Sequence, residues 1–307
     1  MKKIAIVGAG VIGASWAAFY LAKGLDVVVF DVSEVAEAMV RNYIHDAWPL
    51  LTKMGLKENA SVNRLTFTNK LEDAVATADF VQENCPERAD FKADLFQRLD
   101  QIAPRHAILA SSSSGLTMDV IQARCEHPER CVIGHPFNPP HIIPLVEIVG
   151  GANTSPETIE RTLAFYTAVG KKPILLRKSM PGHVANRLQA ALYKEVLYLV
   201  QEGVLSVRDA DIAICYGPGL RWGVMGPSLQ WHIGGGNNGI HHYMEHLMTP
   251  MEGLMAHLGT PHVTEELRQK IIAGVLEQAG NRSVQELAMK ENEVLSDLLS
   301  CREKVGI

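Results

Sequence analysis

Apolar residues arrive in short runs through the first half of the chain, and each run gives way to a longer stretch whose apolar positions recur at helical spacing. Runs of this length, rich in Val and Ile and bounded by turn formers, predict strands over 3–7, 26–30, 65–68, 80–82, 108–110, 131–134, 145–149 and 173–176. The stretches between them predict helices. Ser33 reads as the N-cap of a long one carrying Val35, Met39, Ile44 and Trp48, and Ser155 with Pro156 opens another that ends at Gly170. Strands that alternate with helices form βα units, so the expected class is α/β, a mostly parallel sheet covered by helices.

The texture changes after residue 178. Strand signals stop, and helix-length amphipathic runs follow one another over 183–201, 207–215, 240–255, 264–278 and 283–300. The division expected is a sheet domain over 1–179 and an all-helical domain over 180–307. No internal repeat occurs, and GGGNNG at 234–239 is a local loop or helix-start signal.

A chain of 307 residues with 47% hydrophobic and 21% charged residues is long enough for two soluble domains. Its net charge of -5, with no basic stripe, argues against nucleic acid as a partner. No apolar stretch approaches the roughly 20 residues that a membrane span needs. The five cysteines are scattered and none forms a CxxC pair, which fits a reducing, cytoplasmic compartment. The start MKKIAIVGAGVIG imitates a secretory signal, but its glycines and the strand that soon follows favour a strand–turn–helix unit.

That unit carries the first chemistry. Gly8-Ala9-Gly10-Val11-Ile12-Gly13 lies between a strand and what reads as an amphipathic helix. Gly8 permits the tight turn, Gly10 lets the backbone approach a pyrophosphate, and Gly13 allows the helix to pack on the strand. The phosphates would sit at the helix N-terminus. Asp31 closes the second strand 18 residues after Gly13, placed to accept hydrogen bonds from both ribose hydroxyls, and no arginine follows it to receive a 2'-phosphate. The expectation is a Rossmann-type domain that takes NAD.

A second cluster follows. His135 ends the strand in CVIGHPFNPPH, at the sheet edge where α/β proteins place ligands, and the prolines stiffen the chain around Phe137 and Asn138. Glu147, 12 residues on, lies in an apolar strand where an unpaired carboxylate would be expensive. The two can pair, the carboxylate orienting the ring and raising its basicity. A satisfied core histidine and an edge-strand charge would give the same spacing. SSSSG at 111–115 and Asn186 in PGHVANRL offer neutral donors for a carbonyl or hydroxyl oxygen, but also read as a polar loop and a solvated helix position.

Together, GAGVIG, Asp31, QENCPERADFK, SSSSG, GHPFNPP with EIVGG, and PGHVANRL resemble the 3-hydroxyacyl-CoA dehydrogenase superfamily, in order and spacing, over nearly the whole chain. The resemblance implies His135 as general base, Glu147 as its orienting partner, Ser114 on the reacting oxygen and Asn186 completing the pocket. It implies cofactor contacts from the glycine loop, Asp31, Glu87, Lys92, Ser114 and Asn138, and a homodimer formed through the helical domain. HDAWPLLTKMGL, DFVQENCPER, GPGLRWGVMGP, GGGNNGIHHYMEH and LEQAGNRSVQEL are most similar to the L-carnitine dehydrogenase branch, whereas the sparsely basic 40–56 departs from enzymes that bind CoA phosphates. Carnitine is a 3-hydroxy acid with a quaternary ammonium; Arg221 would take the carboxylate, and Trp222, Trp231 or Phe137 the ammonium. A 3-hydroxyacyl-CoA substrate, L-gulonate, and a non-catalytic crystallin-like role are the alternatives. His242 and His246 at helical spacing could suggest a metal, but no HExxH is present and no metal site is expected.

Overall fold

The computed structural model of the chain describes residues 1–306. Eight strands, β1 (Lys3–Val7), β2 (Asp26–Phe30), β3 (Leu65–Thr68), β4 (Phe80–Glu83), β5 (Ile108–Ser111), β6 (Cys131–Pro136), β7 (Leu145–Val149) and β8 (Lys172–Leu175), form one sheet in the order 3-2-1-4-5-6-7-8. Every neighbouring pair is parallel except β6 and β7. The connections carry α1 (Val11–Ala22), α2 (Ala36–Met54), α3 (Leu71–Val75), α4 (Ala89–Ile102), α5 (Met118–Ile121) and α6 (Pro156–Ala168). One core packs α1, α2 and α6 on one face of the sheet, and the other packs α3, α4 and α5 on the opposite face. A sheet covered on both sides needs strands apolar on both sides, which is why the runs read as continuous.

Three local expectations are corrected. β6 does not stop before His135 but runs through it to Pro136, because its partner β7 extends the antiparallel ladder that far. α1 is not amphipathic: Gly13 to Ala22 are all buried, the sheet lying on one side and α2 on the other. Ser33 does not cap α2. Its backbone N–H donates to Asp31 Oδ1 at 2.9 Å, and α2 starts from Val35 without a side-chain cap. Ser155 does cap α6, accepting from the Thr158 N–H at 3.1 Å, and Gly170 adopts φ +91° after its end.

After the sheet come α7 (Ala185–Gln201), α8 (Val207–Cys215), α9 (Pro218–Val224), α10 (Pro227–Gly234), α11 (Gly239–His242), a π-helical turn (Tyr243–Leu247), α12 (Met248–Ala256), α13 (Glu265–Ala279) and α14 (Val284–Val305). α9 and α10, which sequence periodicity did not reveal, are about two turns each and begin on prolines at a position that needs no N–H donor. Within GGGNNG, a 3-10 turn precedes α11, and His232 Nδ1 accepts the Ile240 N–H at 3.1 Å. The chain divides into two compact units, Met1–Asn186 and a helical one that begins at Arg187. Among the described residues no helix is long and apolar enough to cross a membrane.

Candidate active site

Strand order reverses between β1 and β4, and the glycine turn sits at their carboxyl ends. Gly8 adopts φ +94°, and a Cβ there would lie 3.0 Å from the carbonyl carbon of Asn84, just past β4. A Cβ on Gly13 would run into the Gly8 carbonyl oxygen, so both positions are closed by protein. Gly10 is the opposite case: a Cβ would meet nothing within 4 Å. It faces open space at the start of α1, whose N-terminus has neither a side-chain cap nor an acid in its first turn. Val11 is exposed and Ile12 half-buried beside it. Unpaired N–H groups around an open cradle suit an anion. Asp31 accepts from the Ala9 N–H with Oδ2 at 2.8 Å and from the Ser33 N–H with Oδ1 at 2.9 Å, so it braces the turn and each oxygen keeps a second lone pair. The cradle, the uncapped helix and this carboxylate fit NAD.

The serine loop after β5 is ordered from beneath. Glu87 Oε1 accepts from Ser113 Oγ at 2.5 Å and from the N–H groups of Gly115 and Leu116 at 2.8 and 3.2 Å. Partial burial works to raise its pKa, but the bonds from Ser113 and Gly115 and the charge of Lys92 prevail and hold it below the usual carboxylate range. Ser114 stands exposed at the tip. Lys92 is buried, its Nζ 2.6 and 2.8 Å from the two oxygens of Glu83 and 3.5 Å from Glu87. Its ammonium therefore serves the loop from behind. Burial and then the charge of Glu83 push the Cys85 thiol up to about 12, which leaves it a poor nucleophile.

The antiparallel ladder sets His135 directly opposite Glu147. Eight residues, 137–144, join the two strands, too few for the crossover that a parallel pair would need. Cross-strand partners share a face, and the imidazole Nδ1 lies 2.9 Å from Glu147 Oε2. The other carboxylate oxygen accepts the N–H groups of Val184 and Ala185 at 2.8 and 3.0 Å. A carboxylate only accepts, so Nδ1 carries the proton and Nε2 keeps its lone pair. Burial lowers the pKa of His135; the Glu147 hydrogen bond opposes it only in part, and the net position is below that of a free histidine. A buried imidazole that is neutral at pH 7, held at Nδ1 and bare at Nε2, is equipped to accept a proton.

Phe137, half-buried, and Asn138, exposed, follow on the loop. Lys171 anchors that loop, donating to the carbonyls of Pro140 and, at 3.0 Å, Ile143, with Nζ 4.1 Å from the Phe19 ring centroid. His141 Nδ1 pairs with Ser15 Oγ at 2.9 Å, and burial takes its pKa down to about 4. Asn186, half-buried on the first turn of α7, is the last residue of the first unit. In the helical unit, Arg221 on α9 bonds Gln230 through Nε at 2.8 Å, Trp222 is exposed, and Trp231 stacks on Tyr243 with centroids 4.9 Å apart. Among the described residues no three His, Cys, Asp or Glu side chains gather as metal ligands. Sequence reasoning overlooked His183 and Lys171. His183 lay inside a quoted motif, and only its position beside His135 distinguishes it from a helix-start residue.

Residues 3–179 match the NAD-binding domain of 3-hydroxyacyl-CoA dehydrogenase and residues 182–282 its C-terminal domain. The chain is 42% identical to L-carnitine dehydrogenase of Streptomyces coelicolor over 306 residues, covering 100% of this chain and 96% of that one. It is similar to the solved structure of 5-formyl-3-hydroxy-2-methylpyridine 4-carboxylic acid 5-dehydrogenase, an NAD+-dependent dismutase, with a TM-score of 0.83, 30% identity and 99% of each chain covered. The 3-hydroxyacyl-CoA dehydrogenase of Archaeoglobus fulgidus follows with a TM-score of 0.68 and 25% identity, over 100% of this chain and 99% of that one. With both domains matched in order, the chain belongs to the 3-hydroxyacyl-CoA dehydrogenase family and is an NAD-dependent oxidoreductase acting on a CH–OH group.

Proposed function

We propose that the protein oxidises the hydroxyl of a small L-3-hydroxy acid, L-carnitine before others, with His135 as the general base. The observation that carries the reading is the His135–Glu147 pair, buried at the carboxyl edge of the sheet with Nε2 bare. His135 Nε2 takes the hydroxyl proton, and Glu147, fixed by three N–H donors, steadies the imidazolium that forms. Ser114 and Asn186 hold the substrate oxygen. When bound, NAD supplies the acceptor for the hydride that leaves the carbinol carbon. The glycine turn, Asp31 and Asn138 hold it, while Glu87 and Lys92 keep the serine loop in place.

Similarity to proteins named L-carnitine dehydrogenase supports carnitine. Arg221, with Nε already bonded to Gln230, would offer its terminal nitrogens to the carboxylate. Trp222, Trp231 or Phe137 would face the ammonium, a cation–π contact of about 0.5–2 kcal/mol. The TM-score of 0.83 favours a second reading, a hydroxylated or formylated pyridine carboxylate. The test is NADH formation against L-carnitine, L-gulonate, 3-hydroxybutyrate and 3-hydroxybutyryl-CoA, with product analysis for that pyridine aldehyde, because a dismutation consumes the NADH it forms. L-carnitine is expected to give the highest kcat/KM, and turnover of the CoA ester alone would overturn the assignment.

The helical unit buries a small core of Val200, Val207 and Leu267 and leaves Leu188, Tyr216, Leu220 and Val294 among many exposed apolar residues. Apolar surface on this scale calls for cover, and the reading includes a homodimer formed through these helices. Light scattering after size exclusion is expected to give twice the chain mass of 33.7 kDa at micromolar concentration. A monomer at every concentration would remove the dimer from the account.

A further inference from the structure

The segment that enters α7 passes through two left-handed residues. Gly182 has φ +75°, and His183 has φ +51°, the one positive value at a non-glycine among the described residues. Such a conformation is disfavoured for a residue with a Cβ and persists where the surroundings over-determine it. Here the surroundings are the active site. The two residues that follow give their N–H groups to Glu147. The His183 ring is 3% exposed, its centroid is 4.9 Å from that of His135 with planes 47° apart, and its Nε2 lies 3.0 Å from the carbonyl oxygen of Ser113.

A carbonyl only accepts, so His183 Nε2 carries the proton and Nδ1 is a bare acceptor. That Nδ1 is buried without a partner. An enclosed, unpaired acceptor is costly, because it has given up its bond to water. A phenyl ring would fill the same space without that cost, so packing alone would select against an imidazole. What the imidazole adds is the Nε2–H bond to Ser113, the residue before Ser114.

We propose that His183 is a positioning residue of this active site, fastening the base to the serine loop with its ring against His135 and its Nε2–H on the Ser113 carbonyl. The proposal rests on the reading of His135 as the base. It links the proton acceptor to the loop that holds the substrate oxygen, so that the two keep a common distance. The titratable groups that face His135 are Glu147, His183 and Glu87; burial lowers its pKa and the two carboxylates raise it.

The experiment compares kcat and both KM values for His183→Phe, His183→Gln and His135→Gln in the full chain. Phenylalanine keeps the ring and loses the bond; glutamine can still reach Ser113 with an N–H. His183→Phe is expected to lose about 10- to 100-fold in kcat, the scale of a misplaced reacting group, with KM for NAD unchanged. His183→Gln, which can restore the bond to Ser113, recovers part of kcat. Should the phenylalanine variant not fold, His183→Leu, which also lacks the N–H, takes its place beside the glutamine variant. Retained kcat in the variant without the N–H, or an equal loss in both variants, overturns the role of His183, whereas full activity in His135→Gln overturns the base itself.

Discussion

Replacing His135 by glutamine is expected to lower kcat by about two to four orders of magnitude while NAD binds as before. The ring is the only group at the end of β6 with a bare, basic nitrogen held by a buried carboxylate: Nδ1 is fixed on Glu147 at 2.9 Å and Nε2 is free to take a proton. Glutamine fills much of the same volume and can still donate to Glu147, so no buried charge is left unpaired and the fold is retained. The cofactor contacts proposed above, from the glycine turn, Asp31 and Asn138, do not use the deleted nitrogen. The check is steady-state NADH formation beside a direct NAD titration. Turnover within a few fold of the parent would mean that the proton leaves by another route.

The second large effect separates two glycines of one turn. Gly10→Val is expected to fold normally and to lose about 100-fold in NAD affinity, equivalent to roughly 3 kcal/mol. Its backbone, at φ -64° and ψ -176°, is extended and open to any residue, and the new side chain meets no protein atom within 4 Å of its Cβ. It occupies instead the space where a pyrophosphate approaches. Gly13→Ala is expected to act on the fold, because its Cβ runs into the Gly8 carbonyl and drives α1 away from the turn, at a cost of about 1–3 kcal/mol. Thermal unfolding with and without NAD distinguishes them: the first keeps its apo midpoint and loses the NAD-induced rise, while the second starts from a lower midpoint. A Gly10→Val variant that still gains stability from NAD would place the cofactor elsewhere.

Much of the sheet could be read directly. β1, β2, β3 and β7 begin and end where the apolar runs do, since strands buried on both faces must be apolar throughout and turn residues punctuate them. α1 shows the limit of the same signal: a helix as apolar as a strand has no polar face by which periodicity could describe it. Ser33 looked like a cap because capping residues are recognised by type, but the Ala36 N–H that its hydroxyl would take goes to the Ser33 carbonyl instead. The partnership of His135 and Glu147 was legible as a cost, a carboxylate in an apolar strand, yet its geometry depends on an antiparallel register that no local pattern encodes. His183 was harder still. Its contacts join residues 113, 135 and 183, and its backbone conformation follows from those contacts rather than from its neighbours in sequence.

The claim on which the mechanism rests is that Glu147 sets the proton affinity of His135, and it is measured most directly by the pH dependence of kcat/KM in the parent protein and in Glu147→Gln. His135 accepts a proton only while neutral, so kcat/KM falls as pH drops through its pKa. The Glu147 hydrogen bond raises that pKa. Removing it is expected to move the acid limb to lower pH and to lower the plateau. An acid limb at the same pH in both proteins would contradict the account.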